Sequence, residues 1–152
     1  MGTWIQDFPS ATFGAAWGVT AAAVVTAWAV ALCVCDMRWR RLPDWLTLPA
    51  AIAALPWLSL PGLVWPGLYL VLTLVGTCLG RQKLRVGGGD IKLAVPLGVA
   101  VAAAAGVWGA LGAVALANAL TLLYAATWRD PAGRRPPHGP FMLAAAAVVV
   151  AW

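Results

Sequence analysis

Three long stretches of this sequence carry no charged residue: residues 8–35, 45–80 and 93–128. A helix needs about 20 apolar residues to cross the ~30 Å hydrocarbon core of a lipid bilayer. The first stretch is long enough for one crossing, over residues 15–35, and each of the others is long enough for two short ones. Only 10% of all residues are charged, compared with about a quarter in soluble domains. The sequence therefore predicts an all-α membrane protein.

Residues that favour turns divide the two longer stretches. Those of the second stretch are Pro56, Pro61, Gly62, Pro66 and Gly67, and glycines surround Trp108 in the third. Each stretch is therefore expected to form a helical hairpin. The apolar segment 139–152 adds a sixth, shorter helix. Because no segment has the composition of a linker, we predict a single domain over residues 1–152, a polytopic bundle of about six transmembrane helices.

The basic residues indicate how this bundle is oriented. All ten Lys and Arg residues fall in three loops, at Arg38, Arg40 and Arg41, at Arg81, Lys83, Arg85 and Lys92, and at Arg129, Arg134 and Arg135. Two hairpins would bring these loops to one face of the membrane. The positive-inside rule makes that face cytoplasmic. Because one helix separates the N-terminus from the first of these loops, the N-terminus is expected outside. The net charge of +5 then reflects membrane orientation, and no nucleic-acid partner is expected. Residues 1–10 lack the basic residues of a signal peptide, so we expect the first helix to be retained.

Tryptophan is unusually frequent, with ten residues in the chain. Amphipathic rings of this kind concentrate at the two membrane interfaces, where they form aromatic belts. The inner belt is predicted to contain Trp39, Trp45 and Trp128, and the outer belt Trp4, Trp57, Trp65, Trp108 and Trp152. We therefore assign none of the tryptophans to catalysis.

Two aspartates stand at the cytoplasmic ends of predicted helices. Asp36 follows the first apolar run, and Asp90 follows the triplet Gly87, Gly88 and Gly89. An ionisable group at membrane depth is costly to bury and is therefore a candidate for function. Each aspartate alone has a structural alternative, since Asp36 could pair with Arg40 and Asp90 could cap a helix. The glycines favour an irregular backbone beside a cavity, and their spacing does not fit a phosphate-binding loop.

Two aspartates that face one water molecule would form an aspartyl-protease dyad. One carboxylate acts as general base on the water, and the other protonates or hydrogen-bonds the scissile carbonyl. Other catalytic arrangements are poorly supported, because His138 is the only histidine and Cys33, Cys35 and Cys78 lie in or beside apolar runs. Neither a metal nor a cofactor is therefore predicted.

Three segments resemble the motifs of the type IV prepilin peptidases, which are G-x-G-D-type intramembrane aspartyl proteases. The first motif, residues 36–47, reads D-M-R-W-R-R-L-P-D-W-L-T; in the family an aspartate, a basic stretch and Ile/Leu-Pro-Asn precede an apolar helix. The second motif, residues 87–93, reads G-G-G-D-I-K-L and is similar to G-x-G-D-[VI]-K-L. The third motif, residues 137–140, reads P-H-G-P and is similar to P-x-G-P.

This resemblance implies a role for each matching position. It makes Asp36 and Asp90 the catalytic pair. It places an active-site loop at Gly87, Gly88, Gly89 and Lys92, supported by the motif residues Pro43, Asp44, Pro137, Gly139 and Pro140. The implied reaction removes the leader peptide from type IV prepilins or pilin-like proteins, after a glycine, at the cytoplasmic face of the bacterial inner membrane. Such cleavage serves pilus assembly or protein secretion.

The sequence departs from the family pattern at two motif positions. Asp44 replaces the usual Asn and adds a third carboxylate, which we expect to point to the cytosol, and Gly88 occupies the variable position of the second motif. The cysteine-bearing N-terminal extension of bifunctional members is not found, which predicts a short form with peptidase and no N-methyltransferase activity. Two other classes stay open. A non-catalytic assembly partner would typically lack one aspartate, and a small ion or proton transporter would carry its carboxylates near the bilayer midplane.

Overall fold

A computed structural model of the chain describes residues 10–81, 85–128, 133 and 135–152, with side chains from residue 18 onward. The described residues form α-helices and short 3-10 turns and contain no strand, which confirms the all-α prediction. The chain divides into two units, Met1–Ala31 and Leu32–Trp152. In the first unit, the described side chains of residues 18–31 are mostly exposed and apolar. All three motifs belong to the second unit.

Helix α1 spans Ser10–Trp39 and extends beyond the predicted residues 15–35 at both ends. It ends because Arg40 adopts a left-handed conformation, with φ of 55°. In that conformation the Arg40 N–H donates to the Asp36 carbonyl oxygen at 2.9 Å, which closes the last turn. The Asp36 side chain therefore belongs to the final helical turn, and the rest of the first motif leaves the helix.

The second uncharged stretch is helical on both sides of a proline-rich turn. Helix α2 covers Asp44–Ala54, 3-10 turns follow at Leu55–Trp57 and Pro61–Leu63, and helix α3 covers Val64–Cys78. Pro43 precedes α2 with the extended backbone that a residue before a helix adopts. A proline in the first turn of each 3-10 segment lacks the N–H that such a turn leaves unpaired.

Helix α4 spans Gly88–Thr127 and is interrupted at Gly106, whose φ of 63° and ψ of −156° are accessible essentially to glycine alone. An uninterrupted helix of this length would extend about 60 Å, twice the thickness of a bilayer core. The break falls in the glycine-containing region around Trp108 where the sequence predicts a division. Helix α5 covers Gly139–Ala151.

Helix α4 forms the centre of the second unit, because it contacts α2, α3, α5 and both 3-10 turns. Gly98 allows the closest of these approaches, since a Cβ at this position would collide with the Gly62 carbonyl oxygen. The fully buried side chains include Leu32, Leu93, Val101 and Met142. Within a bilayer, close van der Waals packing of such side chains and of small residues stabilises helix association.

Three helical segments are long and apolar enough to cross a membrane: Gly18–Trp39, Pro61–Cys78 and Gly88–Thr127. Helices α2 and α5 are shorter. One tryptophan prediction is wrong. Trp65 is fully buried and packs edge-on against Tyr69, with ring centroids 6.5 Å apart, because this face of α3 points into the protein. Trp57 and Trp108 are exposed. Trp4, Lys83, Arg129 and Arg134, used in the sequence interpretation, lie outside the described residues.

Candidate active site

Asp36 of the first motif is buried at the end of α1, with 6% of its surface exposed. Its Oδ2 atom accepts a hydrogen bond of 2.8 Å from the backbone N–H of Gly139 in the third motif. The neighbouring amide of His138 also faces this carboxylate, and the positive charge of Arg40 acts on it favourably. The sequence alternative of an Asp36–Arg40 interaction and the assignment of Asp36 to a site are therefore compatible.

The third motif presents this amide because α5 begins there. His138 precedes the helix, Gly139 is its first residue, and Pro140 occupies the first turn, where a missing N–H has no cost. A Cβ on Gly139 would lie 3.2 Å from both Asp36 Oδ2 and Leu42 Cδ2. Pro137 and Gly139 are buried. Glycine therefore allows the amide to reach the carboxylate without displacing either neighbour.

Asp90 of the second motif lies in the first turn of α4, directly after the glycine triplet. Its carboxyl group faces the backbone amide of Gly87 and interacts electrostatically with Asp36. Two aspartates that are far apart in sequence and belong to different helices are thus close enough to repel each other. This repulsion opposes the ionisation of both carboxylates at once.

The three glycines before Asp90 have different surroundings. A Cβ on Gly87 would lie 2.9 Å from Asp90 Oδ2, and a Cβ on Gly89 would lie 2.7 Å from Leu42 Cβ. The same addition at Gly88 would meet no atom within 4 Å. Gly89 thus permits contact between the second motif and Leu42 of the first motif.

A hydrogen bond from α3 holds the chain that enters the second motif. The Val86 N–H donates to Thr73 Oγ1 at 3.1 Å, and Thr73 Oγ1 itself donates to the Tyr69 carbonyl at 2.9 Å. Gly87 follows in an extended conformation and accepts a hydrogen bond from the Ile91 N–H at 3.2 Å. Thr73 therefore fixes the point at which α4, and with it Asp90, begins.

A cavity of about 340 Å³ opens beside Asp90. Its lining combines apolar groups with several polar ones, among them Tyr69, Asn118, Thr121 and His138. Two basic residues, Arg85 and Arg135, also line it. Burial lowers the pKa of His138 to about 4, so this imidazole is neutral near pH 7.

Asp44 and Lys92 do not line this cavity and instead form an ion pair with each other. Lys92 Nζ donates to Asp44 Oδ1 at 2.7 Å, with 35% of the Lys92 side chain and 68% of the Asp44 side chain exposed. The pair joins the first turn of α2 to the first turn of α4. Pro43 precedes the same turn of α2, where its carbonyl accepts hydrogen bonds from the Leu46 and Thr47 amides.

Sequence reasoning missed three polar residues that surround the cavity: Tyr69, Asn118 and Thr121. Each lies within an uncharged stretch, and polar side chains in such a stretch usually face the interior of a helical bundle. That rule was applied to the aspartates and could have identified these residues. His138 was considered only as a possible nucleophile partner or metal ligand. Among the described residues, no group of three His, Cys, Asp or Glu side chains could hold a metal ion.

Comparison with known proteins gives two matches. The model of the type IV leader peptidase family matches residues 23–128, which include the first and second motifs. A prepilin leader peptidase/N-methyltransferase of Xanthomonas campestris pv. campestris is 30% identical over 160 residues, covering 92% of this chain. The match covers 52% of that relative, so the chain spans about half of its length. No solved structure matches the chain.

Proposed function

Since the chain belongs to the type IV leader peptidase family, we propose that it is an aspartic endopeptidase with prepilins or pilin-like proteins as its substrates. It removes their leader peptides at the cytoplasmic face of the bacterial inner membrane. The observation that carries this proposal is the interaction between Asp36 of α1 and Asp90 of α4. Two interacting carboxylates, one of which lines a cavity, can supply the general base and the general acid for peptide hydrolysis without a metal.

The proposed reaction begins with a dyad that shares one proton. The ionised carboxylate takes a proton from water as the water oxygen bonds to the scissile carbonyl carbon, and the protonated partner gives its proton to the carbonyl oxygen. The resulting gem-diol collapses when the C–N bond breaks. One proton passes to the leaving nitrogen through the dyad, which gives a carboxyl group on the leader and a free amino terminus on the pilin. The dyad returns to its shared-proton state.

The surroundings of the dyad support this chemistry in three ways. The Gly139 N–H donates to Asp36, and such a hydrogen bond to an ionised carboxylate is stronger than one between neutral groups and orients it. The cavity beside Asp90 has a volume of about 340 Å³, which accommodates a few residues of an extended peptide. Gly87 and Gly89 allow the aspartate-bearing turn to approach its neighbours.

We further propose six crossings with the N-terminus outside, in a single integral-membrane domain. The three apolar helices, the break at Gly106 and the grouping of basic residues in three loops support this arrangement. A reporter fused after Trp152 tests it, because six crossings would carry alkaline phosphatase to the outside, where it is active. Activity of a cytoplasmic reporter at the same position would require an odd number of crossings.

The decisive experiment measures prepilin cleavage in proteoliposomes that contain the protein, Asp36→Asn or Asp90→Asn. We expect the unmodified protein to release mature pilin and each variant to lose at least about a hundredfold of the rate, the typical contribution of general acid–base catalysis. A prepilin whose glycine before the cleaved bond is replaced by a bulky residue serves as the control substrate.

The possible outcomes separate the functional classes. Equal cleavage by all three proteins would remove these aspartates from the chemistry. Failure of the unmodified protein to cleave any prepilin of the same bacterium would instead support a non-catalytic assembly partner. Circular dichroism and detergent-solubility profiles of the two variants verify that each one folds like the unmodified protein.

A further inference from the structure

His138 is held between two helices by hydrogen bonds to both of its ring nitrogens. Its Nε2 atom lies 2.6 Å from the Tyr69 hydroxyl of α3, and its Nδ1 atom lies 2.6 Å from Thr121 Oγ1 of α4. The residue immediately precedes Gly139, whose amide binds Asp36. The ring of His138 is therefore attached at three points, to α3, to α4 and, through the backbone, to the start of α5.

The hydrogen bonds of Thr121 define where the protons of this network lie. Thr121 Oγ1 is 2.8 Å from the Ala117 carbonyl, which can only accept, so the single hydroxyl proton of Thr121 is donated there. Thr121 must then accept the second hydrogen bond, and His138 Nδ1 must carry a proton. In a neutral imidazole the other nitrogen is an acceptor. The Tyr69 O–H therefore donates to Nε2.

The neutral state of His138 agrees with its surroundings. Tyr69 and Thr121 face the ring from α3 and α4, and neither carries a charge at neutral pH. The charged groups around it are Arg135 on its own segment, Arg85 and Asp90, which line the same cavity, and the Asp36 carboxylate of α1, which faces the adjoining amides. Burial of the ring lowers the pKa of His138 to about 4. The imidazole consequently has one donor and one acceptor, which match Thr121 and Tyr69.

From this geometry we propose that Tyr69, His138 and Thr121 are positioning residues for Asp36. The three side chains fix the backbone between Pro137 and Pro140, so that the Gly139 N–H stays aimed at Asp36 Oδ2 when substrate enters the cavity that they line. The inference rests on the proposed function, because it assigns these residues to the orientation of one member of the dyad. None of the three is expected to touch the scissile bond.

The first test observes His138 directly and does not depend on activity. The chain contains a single histidine, so protein labelled with ¹⁵N-histidine and carrying a histidine-free tag gives one pair of imidazole nitrogen signals. At pH 7 we expect the Nδ1–H form in the unmodified protein and in Tyr69→Phe, because Thr121 still accepts from Nδ1, and mixed tautomers in Thr121→Val. A predominant Nε2–H form in the unmodified protein, or no change in Thr121→Val, would overturn the proposal.

The second test measures kcat and KM for prepilin cleavage by Tyr69→Phe, which removes one hydroxyl group and retains the ring that packs on Trp65. We expect kcat to fall about tenfold, the upper range for one hydrogen bond, with KM changed less than about twofold. The matched control is Tyr124→Phe, because the only other tyrosine of the chain packs against Phe141 with ring centroids 5.4 Å apart. This control is expected to retain the full rate.

Substitutions of His138 separate positioning from general support of the fold. His138→Leu removes both ring nitrogens and should lower kcat as Tyr69→Phe does. His138→Gln retains an acceptor that can reach Tyr69 and should restore most of the rate. The double variant Tyr69→Phe/His138→Leu should be no slower than His138→Leu, because both changes break the same chain of contacts. Multiplied losses, or a rise in KM alone, would contradict the proposal.

The Asp36→Asn variant, measured in the same preparations, distinguishes this inference from the proposed function. If Asp36→Asn cleaves normally, the dyad itself is wrong. If Asp36→Asn is inactive while Tyr69→Phe and His138→Leu are fully active, the dyad stands and the positioning network does not.

Discussion

Two carboxylates of the first motif, only eight positions apart, occupy opposite environments. In the interior cluster, defined here as Asp36, Asp90, Gly139 and His138, Asp36 is buried and receives a backbone hydrogen bond. At the rim pair, Asp44 and Lys92, the carboxylate is exposed and meets an ammonium group. Both contacts join the first motif to another motif. The first aims a carboxylate into the protein, whereas the second ties two helix starts together at the surface.

The difference shows that residue type alone does not assign a role to an aspartate. An exposed ion pair contributes about 0–1 kcal/mol, because water screens the charges and the side chains lose entropy. A buried carboxylate is costly unless donors are provided for it. A buried carboxylate with an amide facing it is therefore a candidate for a functional role. The following predictions test whether the interior cluster and the rim pair differ in their contributions to the cleavage rate and to stability.

The largest difference is expected between Asp36→Asn and Asp44→Asn. The first should lower the cleavage rate at least about a hundredfold, whereas the second should change it by less than about threefold. Asn is also the residue that the family pattern has at position 44. The measurement is prepilin cleavage in proteoliposomes at equal amounts of folded protein. A comparable loss in both variants would show that the rim carboxylate takes part in the site.

Glycine substitutions should show the next largest contrast. In Gly139→Ala the new Cβ would press on Asp36 Oδ2 and Leu42, so we expect about a tenfold loss of rate and about 1–2 kcal/mol of destabilisation. Gly88→Ala is the control, since its Cβ would meet open space. It should retain the rate and change the stability by at most about 0.5 kcal/mol. Rates and thermal unfolding in detergent would be compared, and a full rate in Gly139→Ala would contradict the tight fit at Asp36.

Acidification should lower the free energy of unfolding through protonation of His138. Because its pKa is about 4 in the folded protein and about 6.5 in an unfolded chain, the unfolded state binds more protons between these values. The free energy of unfolding should therefore fall as the pH decreases from 6.5 to 4, by up to about 3 kcal/mol, and this contribution should level off below pH 4.

The measurement is thermal unfolding across this pH range, compared with His138→Gln, which has no imidazole to titrate. Subtracting the two profiles removes the contributions of the carboxylates. If the difference in stability between the two proteins does not vary with pH, His138 has the same pKa in the folded and the unfolded state.

The smallest effect is expected at the rim. A double-mutant cycle with Asp44→Asn and Lys92→Gln should give a coupling energy of about 0.2–1 kcal/mol, which decreases when salt is raised because the pair is exposed. Unfolding in detergent at low and high salt provides the four free energies. A coupling energy above about 2 kcal/mol that does not change with salt would show that this pair is shielded from solvent. The rim pair and the interior cluster would then not differ in environment.

The sequence allowed prediction of the helices and of the segments that form the candidate site, because hydropathy, turn-favouring residues and short motifs are local properties. Uncharged stretches, prolines and the glycines near Trp108 indicate where helices run and where they stop, and the break at Gly106 follows from glycine's own conformational freedom. The pairing of Asp44 with Lys92 was not predicted, although the expectation that Asp44 faces outward agrees with its exposure.

Contacts between distant segments could not be predicted from the sequence. The Gly139 amide reaches Asp36, and His138 reaches Tyr69 and Thr121, only when α1, α3, α4 and α5 pack in one particular register. Residue patterns specify which face of a helix is apolar but not the rotation that brings two polar groups within 3 Å. The burial of Trp65 was missed for the same reason, since composition alone assigns tryptophan to an interface.

The interruption of α4 at Gly106 has a practical consequence. A Cβ at this glycine would meet no atom within 4 Å, and Val107 and Trp108 beside it are exposed. Chain positions with these properties tolerate inserted sequence better than positions within packed helices. An epitope, a protease site or a small folded tag placed at Gly106 would therefore leave the three motifs intact. Such an insertion would allow the chain to be labelled or cut between the two halves of the longest helix. The two halves could also be expressed as separate fragments.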